Sequence, residues 1–231
     1  MSLKGRRAIV TGAAGGVGGV VVRRFLDEGM KVVGVVRPGS ERVQLGGEGL
    51  IVMEADVTRE EDVRRLFANA VERLGGLDIL VNGVGGFIPA RPVADLSVED
   101  WETMMKVNLL SVFLCTREAL RLMKGTGYGR IVSFSAQTAL RPAPGRAAYA
   151  ISKAAVSLFT EIVSREVRNE GITINAIAPS IIDTEANRKS MPEEDFNKWV
   201  SPEDLAETIC SLCSERNVIS GTTFRAFGGL Q

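Results

Sequence analysis

The rhythm of the chain constrains its fold more than any single residue does. Seven short apolar runs, at residues 7–10, 31–36, 50–54, 78–81, 130–134, 173–178 and 223–227, alternate with helical patterns at 16–28, 59–74, 97–123, 148–170 and 202–214. The runs are almost continuously apolar, as in strands covered on both faces of a parallel sheet. Between them the pattern is amphipathic: Val63, Leu66, Phe67, Ala70, Val71 and Leu74 recur at helical spacing while Arg and Glu fill the opposite side. This alternation predicts an α/β fold, a doubly wound parallel sheet of about seven strands with right-handed crossovers. No linker, repeat or low-complexity segment breaks residues 1–231, which read as one domain. Two stretches depart from the rhythm: 83–95, rich in Gly and Pro, and 180–200, polar with Met191, Pro192 and Trp199. Both follow predicted strands, where open α/β sheets form their ligand crevice, so both are expected to wall a substrate site.

The absence of histidine excludes several chemistries at once. Ser-His-Asp hydrolysis, Cys-His proteolysis, His-ligated zinc and imidazole acid–base catalysis all need the missing side chain. Proton transfer falls to Tyr, Lys, a carboxylate or water. With 28 basic and 28 acidic residues the chain lacks a broad basic field for nucleic acid. It also lacks the run of about 18 apolar residues that would cross a membrane. Three cysteines leave at least one thiol unpaired and suit a reducing cytoplasm. Cys210 and Cys213 form a C-x-x-C on the helical pattern 202–214, with no second pair or His to complete a metal site. They are expected as small core residues, and no metal site is predicted. The N-terminus runs into the first strand without the apolar core of a signal peptide, so a soluble cytoplasmic protein is expected.

The first strand leads into Thr11-Gly12-Ala13-Ala14-Gly15-Gly16-Val17-Gly18 and then a helix. Gly12, Gly16 and Gly18 permit a tight turn, close approach to a pyrophosphate and packing of helix on sheet, while the helix start, around Val17, supplies amide donors. Position makes the pattern specific, because it follows an N-terminal strand and opens a helix. The second strand ends in Val35-Val36, followed by Arg37, where an acidic residue would accept from the ribose 2′-hydroxyl of NAD. A guanidinium without a carboxylate suits a 2′-phosphate, so NADP(H) is favoured over NAD(H). Asp56 and Val57, after the third strand, either begin the next helix or meet the adenine edge.

Tyr149-Ala150-Ile151-Ser152-Lys153 lies on the helical pattern 148–170. The i,i+4 spacing puts phenol and ammonium on one side, where Lys153 is expected to lower the Tyr149 pKa from about 10 toward neutrality. That would make Tyr149 an acid–base group in a chain without histidine.

With these motifs in view, the chain resembles the short-chain dehydrogenases/reductases over essentially its whole length. The resemblance rests on Thr11-Gly12-x-x-x-Gly16-x-Gly18, Asn82-Gly83-Val84-Gly85, Asn108, Tyr149-x-x-x-Lys153 and Asn175-Ala176-Ile177-Ala178-Pro179. It implies a Rossmann-type sheet and hydride transfer with NAD(P)(H). Tyr149 would give or take the proton, Lys153 would also hold the nicotinamide ribose, and Asn108 would fix a water in the proton relay. It further implies cofactor contacts at Asn82, Gly83, Pro179, Ile182 and Thr184, and a homotetramer or homodimer built partly on the helices around Asn108 and Tyr149.

One position departs from the family. Ala136 stands thirteen residues before Tyr149, where a serine usually holds the substrate carbonyl. Strand alternation puts Ser133 and Ser135 on the side away from Ala136, so Gln137 or Thr138 would have to replace it, or the acceptor is not an ordinary ketone. Residues 183–199 and Gly85-Gly86-Phe87 are similar to dihydropteridine reductases, which also have Ala there. An electron-poor quinonoid dihydropterin needs no serine, and Phe87 or Trp199 could stack on its flat ring. Trp199 could equally be a packing anchor under its loop. The expected function is an NADP(H)-dependent reductase of a small carbonyl or pterin-like quinonoid molecule. The alternative is an NADP-binding sensor with little turnover.

Overall fold

The computed structural model describes residues 3–40 and 45–230. Its strands are β1 (Arg7–Thr11), β2 (Lys31–Val36), β3 (Leu50–Glu54), β4 (Ile79–Asn82), β5 (Gly129–Phe134), β6 (Ile172–Pro179) and β7 (Thr223–Ala226). They form one seven-stranded sheet in the order β3-β2-β1-β4-β5-β6-β7, with every neighbouring pair parallel. The helices are α1 (Gly16–Asp27), α2 (Glu60–Leu74), α3 (Val98–Met105), α4 (Ser111–Met123), α5 (Gln137–Leu140), α6 (Ala147–Glu166), α7 (Glu185–Ser190) and α8 (Pro202–Leu212).

Strand alternation divides the core into two layers. Ala8 and Val10 face one layer and Ile9 the other. The first is closed by α1 and α8 through Val21, Val22, Phe25, Leu205 and Ile209, and the second by α2, α4 and α6 through Leu66, Phe67, Leu114, Met123 and Val163. Each fully buried side chain of this size contributes roughly 1.5–3 kcal/mol, so the doubly covered sheet is the rigid part of the molecule. Cys210 and Cys213 pack in the first layer, and burial pushes both thiols up, Cys210 to about 12. Neither is a ready thiolate at neutral pH.

Local chemistry sets the helix ends. Glu60, Glu61 and Asp62 occupy the first turn of α2, where the helix dipole favours anions, and Gly75 ends it at φ 78. Ser201 caps α8 by accepting from the Asp204 amide, with Pro202 at the first helical position. The single helix expected over 97–123 is broken into α3, a π-helical turn at Lys106–Leu110, and α4. Residues 180–200, expected without helix, contain α7 and a 3-10 turn at Phe196–Lys198. No helix among the described residues is long and apolar enough to cross a membrane. β1 pairs with β2 on one side and β4 on the other, so strand order reverses beside its carboxyl end. Open α/β sheets take their ligands at such a reversal.

Candidate active site

The cofactor end is built from backbone. Gly12 has φ +70, and a Cβ on it would lie 2.9 Å from the carbonyl carbon and oxygen of Gly83. Only glycine lets the turns after β1 and β4 approach this closely. Thr11 Oγ1 ties them by accepting from the amides of Gly83 and Val84 at 3.1 and 3.4 Å. A Cβ on Gly18 would collide with the Gly12 carbonyl, so α1 also packs directly on the turn. α1 begins after Gly15 with no side-chain cap and no acidic residue in its first turn, leaving amides, including that of Val17, to receive an anion. From the far side, Thr184 Cγ2 lies 2.8 Å from where a Gly16 Cβ would be. Pro179 ends β6, and Ile182 pairs with Val200 to hold the segment that carries Thr184. The donor set and its glycine-lined cradle fit a dinucleotide pyrophosphate.

Arg37 stands exposed just beyond β2, and no side-chain partner for it is found among the described residues. Its carbonyl accepts from Ser40 N and Oγ at 3.0 and 2.6 Å, which turns the chain at this point. Asp56 Oδ1 accepts from Thr58 N and Oγ1 at 3.0 and 2.7 Å. Burial alone would raise this carboxyl, but the Thr58 bonds outweigh it and hold it below the usual range. Val57 is buried against α2. Asn82 differs from the expectation: its side chain is buried and donates to Thr116 Oγ1 and Ser133 Oγ at 3.2 and 3.0 Å. It braces β4 against α4 and β5, and the residues that reach the β1 turn are Gly83 and Val84.

At the other end, Tyr149 falls in the first turn of α6 and Lys153 one turn later. Lys153 is 5% exposed, and its Nζ donates to the Phe134 carbonyl at 2.8 Å. Burial lowers its pKa from 10.5 to about 8. A Cβ on Gly85 would lie 3.1 Å from Lys153 Nζ and 3.3 Å from Asn108 Oδ1, so the missing side chain leaves these groups a shared open space. Tyr149 is half-buried, and burial pushes its phenol up from 10.0, with Arg146 the cation that opposes. The expected lowering by Lys153 is therefore not found. Desolvation dominates the phenol, and the ammonium is turned to Phe134.

Asn108, fully buried in the π-helical turn, uses its amide as a clamp. Oδ1 accepts from Gly86 N at 2.8 Å, and Nδ2 donates to Gly86 O at 3.1 Å and Ser152 Oγ at 3.0 Å. The side chain fixes the loop after β4 to α6. Ser135, set aside in the sequence as facing away from Ala136, and Ser157, missed by the sequence reading, support Lys153 from behind: Ser135 Oγ donates to the Lys153 carbonyl at 2.9 Å and Ser157 Oγ donates to Ser135 Oγ at 2.8 Å. With Ser133 bound by Asn82, both serines near Ala136 are committed elsewhere. Gln137 Nε2 is engaged too, donating to the Leu230 carbonyl at 2.9 Å. Thr138 Oγ1 is buried without a hydrogen-bond partner among the described residues.

Phe87 is 59% exposed and meets Tyr149 edge-on, with ring centroids 5.6 Å apart. Trp199 is 7% exposed and packs on Phe196 at 4.7 Å, which is the packing-anchor alternative and not an open stacking platform. The sequence reading also missed Arg146. Its carbon Cζ lies 4.5 Å from the Phe87 ring centroid, and Nη1 donates to the Ile88 carbonyl at 3.2 Å. A basic residue at the start of a helix, where the dipole disfavours cations, was the available signal.

Residues 6–195 match the family model described as short chain dehydrogenase. Glucose 1-dehydrogenase 2 of Bacillus subtilis (strain 168) is 32% identical, over 99% of this chain and 95% of that protein. The 3-oxoacyl-[acyl-carrier-protein] reductase of Synechocystis sp. is also 32% identical, over 99% and 98%. Among solved structures, "ElxO with NADP Bound" superposes with a TM-score of 0.91 at 28% identity, covering 97% of this chain and 98% of that one.

Proposed function

The chain belongs to the short-chain dehydrogenase family and is an NAD(P)-dependent oxidoreductase, and from that premise we propose that it is an NADPH-dependent reductase of a small carbonyl compound. The observation that carries the reading is the placement of Tyr149 in the first turn of α6, one turn before the buried Lys153, with a phenol that holds its proton at neutral pH, the form a general acid needs. NADPH would rest on the α1 amides and the glycine turns, with its 2′-phosphate at Arg37. Bound there, it supplies the hydride.

The protein's own part is to hold and move one proton. Tyr149 Oη gives it to the acceptor oxygen as charge develops, and Lys153 offsets the phenolate charge left behind. Asn108 keeps the Gly85–Gly86 segment clear of Lys153, and Ser135 fixes the turn of α6 that carries it. The segments 83–95 and 180–200 would wall the acceptor. A quinonoid, pterin-like acceptor is a second reading, favoured by Ala136 and by the engagement of Ser133 and Ser135, because such a molecule needs no serine to polarise it. A second copy of the chain would cover the apolar cavity of about 590 Å³ lined by Trp101, Met105, Leu109, Leu110, Phe113 and Phe159.

The test is Tyr149→Phe with initial rates of an acetoacetyl thioester and a quinonoid dihydropterin, each with NADPH and NADH. The variant should lose about 10²–10⁴-fold in kcat while NADPH affinity stays within a few-fold. Full activity in the variant would reject the assignment, and NADPH binding without turnover of any acceptor by the native chain would favour the sensor reading.

A further inference from the structure

Arg146 stands at the rim of the site in an unusual electrostatic position. It precedes α6 by one residue and Tyr149 by three, and both side chains meet the ring of Phe87, Tyr149 edge-on at 5.6 Å and Arg146 over its face at 4.5 Å. It is half-buried, stacks over the face of Phe87, and spends Nη1 on the Ile88 carbonyl. No carboxylate pairs with it among the described residues. Its neighbour Arg91, whose backbone N–H donates a hydrogen bond to the Gly145 carbonyl at 2.9 Å, has Asp100 at 3.9 Å. Arg146 is thus a cation held in place by a carbonyl and a ring, with its charge uncompensated.

The uncommitted edge of the guanidinium is the one formed by Nε and Nη2. That is the edge by which Arg7 grips both oxygens of Asp78, at 2.8 and 2.9 Å, and by which Arg188 grips Asp183, at 2.5 and 2.7 Å. It matches a carboxylate in two parallel bonds. We propose that Arg146 is a specificity-determining residue that holds a carboxylate of the acceptor, so that the enzyme's substrates are short oxo acids and not neutral ketones. The assignment rests on the reductase reading of the Tyr149 site and names its substrate class. It also gives the acceptor an anchor in a site without the serine at 136.

The experiment compares acetoacetate with methyl acetoacetate, at saturating NADPH, in the native enzyme, Arg146→Gln and Arg146→Lys. The readout is the acid-to-ester ratio of kcat/KM, from which any general loosening of the loop cancels. The native ratio should favour the acid, fall by at least about tenfold in Arg146→Gln, as expected for a charge-assisted bond, and recover in part in Arg146→Lys. A native preference for the ester, or a ratio unchanged by Arg146→Gln, would overturn the proposal and leave Arg146 as a clamp on Ile88. If the native enzyme binds NADPH but reduces neither compound nor any other acceptor, the reductase reading itself fails.

Discussion

Lys153 is expected to lower the stability of the protein it serves, and Lys153→Met exposes the size of the effect. Its ammonium is buried, and its pKa falls from 10.5 to about 8. At about 1.4 kcal/mol per tenfold change in proton affinity, the gap corresponds to about 3 kcal/mol against the folded state. Methionine has similar length and no charge to desolvate. The substitution leaves the Phe134 carbonyl without its donor, a loss of roughly 1–3 kcal/mol. At pH 7 the variant should therefore be more stable by about 1 kcal/mol, or roughly 2–4 °C in Tm for a chain of this size, while losing activity.

The pH dependence carries the sign. Below about 8 the side chain is charged in both states and only the folded state bears the desolvation. Between about 8 and 10.5 the unfolded chain binds the proton that the folded one has lost, so native stability rises with pH. Above that window the penalty has gone, and the native enzyme should be the more stable of the two by the hydrogen bond to Phe134. Urea unfolding of both proteins at pH 7, 9 and 10.5 measures the difference directly. A difference that keeps its sign and size across the three would refute the reasoning.

The other expectations are briefer. Arg37→Ala should weaken NADPH binding by about tenfold or more, the scale of a lost charge-assisted bond, and leave NADH within a few-fold in a fluorescence titration; equal loss for both would deny Arg37 a role at the 2′-phosphate. Trp199→Ala should cost roughly 3–5 kcal/mol in chemical unfolding, as for other buried aromatics, whereas a stacking platform would raise KM with little change in stability. The rate of reduction should fall as pH rises through about 8, where Lys153 loses its charge; a rate flat to pH 10 would remove the ammonium from the mechanism.

What the sequence made legible is what local chemistry decides. The apolar runs gave all seven strands to within a residue or so, and the glycines at 12, 16 and 18 marked the turn, at 12 and 18 because a Cβ there would run into backbone. The π-helical turn at Lys106–Leu110 was invisible to periodicity. It forms where Asn108 is drawn into both peptide groups of Gly86, a contact between residues 22 apart that no local pattern encodes. α7 could have been read from Thr184 with Glu185 behind it, a cap and a first-turn acid, but the polar run around it suggested a loop. Spacing alone aligned Tyr149 with Lys153. It could not show that burial would raise one group and lower the other.

That opposite displacement is the physical content of the site. A buried phenol moves up and a buried ammonium moves down for the same reason, since desolvation penalises whichever form is charged. At pH 7 the result is a neutral acid one helical turn from a cation that is still mostly charged but readily titrated. Proton donation from Tyr149 then creates a phenolate with Arg146 at the rim and Lys153 one turn further along α6 as the positive charges of the site. The acceptor's charge decides how much of that field remains. A neutral acceptor leaves Arg146 free to favour the phenolate, whereas a bound carboxylate neutralises Arg146 and leaves the task to Lys153. An oxo-acid reductase built this way should therefore depend on the Lys153 ammonium more steeply with its anionic substrate than with the corresponding ester, and this couples the pH profile to substrate charge.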